Sequence, residues 1–64
     1  MFVKLRASAD DPIIVNTDNI MYIDIQARKI CMCDGRNLAY INSKDFDRLA
    51  KLLEANLTEL PPEE

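Results

Sequence analysis

The chain has 64 residues, among them two Cys, one Gly, no His and no Trp, and 48% of it is hydrophobic. A chain of this mass forms one domain that exposes roughly 10,600 Å² unfolded and about 4,200 Å² folded, so burial exceeds the ordering entropy only narrowly. The net charge of −3 comes from the acidic end, because without Glu59, Glu63 and Glu64 the acids and bases balance at eight each; the composition excludes a zinc finger, a histidine-based catalytic site, a disulfide-dense scaffold and a membrane-spanning helix.

Residues 2–6 alternate apolar and charged side chains, the period of a half-buried strand, with Val3 and Leu5 facing inward. Ala7 to Pro12 gathers small residues, two aspartates and a proline, which favour a hairpin turn because aspartate bonds its own backbone and proline fixes φ. Residues 13–16 read as a second short strand, with Pro12 at its start, where no ladder N–H is required. The side chains of Thr17, Asp18 and Asn19 compete for backbone hydrogen bonds, so a tight or 3₁₀ turn is expected there. A third strand over 20–26 places Met21, Ile23 and Ile25 on one face and Ile20, Tyr22 and Asp24 on the other.

Ala27 and Arg28 connect to a hairpin of strands 29–33 and 36–41 around Asp34 and Gly35. A short loop with Gly35 in the left-handed region sets Ile30 opposite Leu38, so that Ile30, Met32, Leu38 and Tyr40 share a face. Asn42 or Ser43 caps a helix over 44–56, and Asp45 and Asp47 suit its positive end. Phe46, Leu49, Ala50, Leu53 and Leu57 recur at helical spacing, which makes this helix amphipathic. Residues 1–57 thus form one domain, and 58–64, with two prolines and three glutamates, a flexible acidic tail.

The expected fold is α+β, a five-stranded antiparallel meander with one C-terminal helix. One helix covers one face of a sheet. The alternation leaves Phe2, Ile14, Ile20, Tyr22, Cys31, Cys33, Ala39 and Ile41 on the other, together with Lys4, Arg6, Asp24 and Asn37. The wet side of an antiparallel sheet is normally polar, so this face is expected to be an interface, to a second copy in a homodimer or higher oligomer or to another protein.

Few constellations carry chemistry. Cys31 and Cys33 point the same way along one strand, but no further Cys or His completes a metal set, and small buried hydrophobes are the simpler reading over a redox pair. Asp10, Asp11 and Asp18 with Asn16 and Asn19 lack calcium-loop spacing and suit turns. Asp24 is expected to pair with Lys4, Arg6 or an equivalent on another subunit. Ser8 and Ser43 have no histidine to activate them, and a lone glycine cannot build a phosphate-cradling loop, so no catalytic residue, metal or cofactor is expected. The bases are dispersed among acids, which argues against DNA. The start has no basic stretch followed by an apolar run, so no signal or transit peptide is expected and the cytoplasm is the default compartment.

Four segments together carry a resemblance: Phe2 to Leu5, Ile14 to Ile20, the hairpin from Ile30 through Gly35 to Tyr40, and the helix led by Ser43. Over nearly all of residues 1–57 the pattern resembles the small flagellar FlbD-like proteins and similarly sized proteins of bacterial and phage genomes. That resemblance implies a compact β-meander plus helix with a non-enzymatic regulatory role, and it supplies no catalytic residues. A more distant likeness is to the LytTR DNA-binding domain, against which the neutral charge balance stands.

The functional expectation is a small non-enzymatic, oligomeric binding protein that occludes or sequesters a partner, a phage-encoded inhibitor of host defence in the host cytoplasm being one concrete form. Its partner is a protein or a small nucleotide-like ligand. Arg6, Arg28, Lys29 and Arg36 are the candidates for anionic groups, and Tyr22 and Tyr40 for stacking. The alternatives are a flagellar-type regulatory adaptor acting on a protein or RNA, and a structural assembly subunit.

Overall fold

The computed structural model describes residues 1–58 and 60–62. It is an α+β fold of two antiparallel sheets and one helix: β1 (Phe2–Arg6), β2 (Pro12–Asn16), β3 (Ile20–Asp24), β4 (Lys29–Met32), β5 (Asn37–Leu38) and α1 (Ser43–Glu54). β1 and β2 form one sheet, and β3, β4 and β5 form the other in that order. A single five-stranded meander was expected, and the break falls between β2 and β3. There Thr17–Asn19 makes a 3₁₀ turn whose start is held by the Asn16 side chain accepting from the Asp18 N–H, and the chain leaves the first sheet instead of folding back along β2.

The β1–β2 hairpin keeps the expected alternation. Val3 faces Val15 and Leu5 faces Ile13 across the ladder, while Phe2, Lys4 and Ile14 point the other way. Pro12 opens β2 opposite Arg6. The β4–β5 hairpin also has the expected register, with Ile30 opposite Leu38. Gly35 stands at φ 92°, the Met32 N–H donates to Arg36 O at 2.8 Å and the Gly35 N–H to Met32 O at 3.0 Å, so the loop closes tightly. The Arg36 N–H donates to Asp34 Oδ1, which keeps Arg36 in the loop, and β5 starts at Asn37.

Three strand ends differ from the sequence reading. β3 stops at Asp24 because its carboxylate accepts the Ala27 N–H at 2.9 Å and turns the chain. β4 ends at Met32, one residue early. β5 ends at Leu38, and Tyr40 stands at φ 60°, a left-handed conformation that breaks any extension to Ile41. Tyr40 therefore does not share the face of Ile30, Met32 and Leu38; it is 84% exposed.

The face assignment of β3 is corrected as well. Ile20 pairs with Met32 but Tyr22 pairs with Cys31, so Met21 is the extra residue of a β-bulge. The bulge lets both Ile20 and Ile23 face the core and turns Met21 out to solvent. Ile25, past the strand end, is exposed too.

One core serves both sheets. Leu5 and Val15 from the first, Ile30 from the second, and Phe46 and Leu49 from α1 are buried together, with Ile30 at 0% exposure. Asn42 is the N-cap, and its Oδ1 accepts from the Lys44 N–H at 3.0 Å and the Asp45 N–H at 3.1 Å; Ser43 is not needed for this role. Leu57 lies beyond the end of α1 and is exposed. The expectation of a flexible tail falls partly on Glu59, Glu63 and Glu64, which lie outside the described residues.

The helix start is tied to the end of β1. The Arg6 N–H and Nε both donate to Asp45 Oδ2, at 2.8 and 2.9 Å, and its Nη2 donates to Asp45 Oδ1 at 2.9 Å. The Asn42 N–H donates to Arg6 O at 2.8 Å. Asp45 is buried, and these hydrogen bonds, from the Arg6 side chain first and its backbone second, hold its carboxyl down at about 2 against a smaller opposing push from burial. The same pairing raises the Arg6 pKa.

Two stability measurements check this. Asn42→Ala removes the cap and is expected to cost about 1 kcal/mol in urea unfolding, with the fold retained. Asp45 has a lower pKa folded than unfolded, so its contribution is complete above the ordinary carboxylate range near pH 4 and is lost as pH falls through about 2. Asp45→Asn is therefore expected to lower the thermal midpoint at neutral pH and to flatten its decline between about pH 4 and pH 2; an unchanged slope contradicts the assignment.

Candidate functional site

The eight residues expected on one helix-free face are distributed over three environments. Phe2 and Ile14, 72% and 71% exposed, are diagonal neighbours on the outer side of the β1–β2 hairpin, with Ile14 directly opposite Lys4. Ile20 and Ile41 are half-buried against the core instead, because the bulge in β3 and the turn at Tyr40 redirect them. Cys31 is buried, whereas Cys33, past the end of β4, is exposed, so the two thiols do not share an environment. Ala39 is exposed beside Tyr40.

Tyr22 and Cys31 do come together, as cross-strand partners. The Tyr22 hydroxyl is pushed above the ordinary tyrosine range, first by the neighbouring Cys31, then by burial and by Asp24. The phenol thus stays protonated at neutral pH. Half of the Tyr22 surface is open to solvent.

The basic candidates are not a free anion-binding cluster. Arg6 is held by Asp45, as described above. Arg28 donates to Asp47 Oδ1 at 2.9 Å and to Ser43 O at 3.0 Å, and its guanidinium lies 4.7 Å from the centre of the Phe46 ring. The Arg36 Nε lies 3.1 Å from Asp34 Oδ2 within its own loop. Lys29 sits opposite Asp24 in the β3–β4 ladder. Asp24 itself caps its turn and does not meet Lys4 or Arg6. Each of the three guanidiniums has an internal carboxylate, which already offsets part of the charge an anionic ligand would meet.

Sequence reasoning missed Met21, Ile25 and Leu57. They are 61%, 57% and 64% exposed, and with Tyr22 and Leu53 they line an open groove of about 450 Å³ between β3 and the end of α1. A bulge has no compositional mark here, since Met21 continues the apolar alternation that its insertion interrupts. Among the described residues, no helix is long and apolar enough to cross a membrane.

Tyr40 combines a left-handed backbone with near-complete exposure, so it strains the chain while adding nothing to the core. Tyr40→Asn, which tolerates that conformation, is expected to raise stability by about 1 kcal/mol in thermal unfolding. A loss of stability shows instead that the ring makes contacts the fold needs.

Comparison with protein-family models, with curated proteins and with solved structures gives no match for this chain.

Proposed function

We propose that the chain is a small non-catalytic binding protein that associates with itself and acts by covering or holding a partner. The observation that carries this reading is the outer side of the β1–β2 hairpin, where Phe2 and Ile14 occupy diagonal positions and are each more than two thirds exposed. A hairpin that buries one face and leaves two large apolar residues adjacent on the other loses hydration free energy until that face is covered. The occupant is a second copy.

The absence of histidine and the internally paired arginines favour occlusion over chemistry. Both a phage-encoded inhibitor of host defence and a flagellar-type regulator fit this mode of action, and the neighbouring genes distinguish them.

Sedimentation velocity at tens of micromolar tests the assembly. The expected result is a dimer or larger species for the native chain and a monomer for the Phe2→Ser, Ile14→Ser double variant, whose positions lie outside the core. A native chain that stays monomeric throughout refutes self-association. Native mass spectrometry of the same preparation reports any co-purifying ligand.

A further inference from the structure

The outer edge of β1 is a second, chemically different surface. The hydrogen bonds that flank the β1–β2 ladder fix which backbone groups reach it: the Thr17 N–H donates to Met1 O, and the Ala7 N–H to Asp11 O. In an antiparallel ladder the bonded pairs alternate. Met1, Val3, Leu5 and Ala7 therefore turn their N–H and C=O groups toward β2, and Phe2, Lys4 and Arg6 turn theirs away from it. Arg6 confirms the direction, since its N–H meets Asp45 and its C=O meets Asn42, both outside the ladder. No strand of the described residues pairs with β1 on that side, so Phe2 and Lys4 present backbone donors and acceptors at an open edge.

That edge is one wall of a groove. Opposite it stands α1, and between them runs a groove of about 280 Å³, lined on the strand side by Val3 to Leu5 and on the helix side by Asp45, Arg48, Leu49 and Leu52. Its floor is apolar and its rim is cationic. Arg6 and Asp45 cancel each other, and among the described residues neither Lys4 nor Arg48 has an ion-pair partner.

We propose that this groove binds an extended acidic segment of a partner protein, which adds as a strand to the open edge of β1 with its carboxylates against Lys4 and Arg48. Main-chain bonds to Phe2 and Lys4 supply affinity, and the helix wall selects side chains on one face of the added strand. A second copy fits this edge poorly. Residues 2–6 contain two cations and no acid, so pairing β1 with another β1 sets like charges side by side. The inference rests on the binding reading above and names its partner class, but it does not require self-association.

The test is an amide-resolved NMR titration of the full chain with four capped synthetic peptides. One has the sequence Thr-Val-Glu-Val-Glu-Val-Thr, one replaces both Glu by Lys, and two carry N-methyl groups on alternate amides, in opposite registers. The expected result is that the acidic peptide shifts the amides of residues 2–5 and 48–52 and slows hydrogen exchange at Lys4. The Lys peptide and an Arg48→Glu variant each bind about tenfold more weakly, and one register of N-methylation abolishes binding.

Equal binding of the acidic and basic peptides overturns the proposal, as does the lack of shifts in β1 at millimolar peptide. Concentration-dependent protection of the Lys4 amide without peptide also overturns it, by giving the edge to a second copy. Sedimentation is read separately: a monomer that still binds the acidic peptide at β1 refutes self-association alone, and a dimer whose groove ignores the peptide refutes this inference alone. Lys4→Glu, at an exposed position, repeats the charge test without touching the core.

Discussion

The pairing of Arg6 with Asp45 and Asn42 holds the two halves of the molecule in register. β1 and β2 form no ladder with the other three strands, so the sheets are joined by the chain at Thr17–Asn19, by shared core side chains, and by this cluster. It unites three kinds of contact: a backbone hydrogen bond from Asn42 to Arg6, a cap on α1 by the Asn42 side chain, and a two-pronged ion pair whose acid is buried in the first turn of the helix. A carboxylate out of water is tolerated only when its lone pairs are met, and here the donors are the Arg6 main chain and the Arg6 side chain. The cluster thereby sets where α1 begins and how close it lies to β1, which in turn sets the width of the groove between them.

Local features were legible in the residues. Alternation turned Val3 and Leu5 inward, Asp34 and Gly35 announced the second hairpin and its register, and the apolar spacing of Phe46 and Leu49 located the buried side of the helix. What escaped were features decided by competition between distant groups. Asp45 reads as one of two acids at a positive helix end, and nothing in its neighbours shows that Arg6, 39 residues away, takes it into the interior. The bulge at Met21 and the left-handed Tyr40 break the alternation without a glycine or proline to mark them. Those two departures also account for the lost common face, since they send Ile20 and Ile41 inward and Met21 outward.

The surface follows from this geometry. A 12-residue helix is too short to blanket two sheets, so it is spent on the junction between them, and the outer side of the first hairpin and the flank of β3 stay open. Charge is arranged differently from apolar area. Arg28 and Arg36 are engaged with carboxylates close by, while Lys4 and Arg48 are left facing the groove, so the balanced formal charge of residues 1–57 conceals one locally cationic channel.

Each ladder in the molecule joins strands adjacent along the chain: β1 with β2, β3 with β4, and β4 with β5. Closing such short loops costs little entropy, so both sheets can assemble early and separately. The long-range step is then the docking of the helix start onto the far end of the first strand. In kinetic terms that final closure is the latch, and its opening leaves two intact sheets with their shared interior exposed.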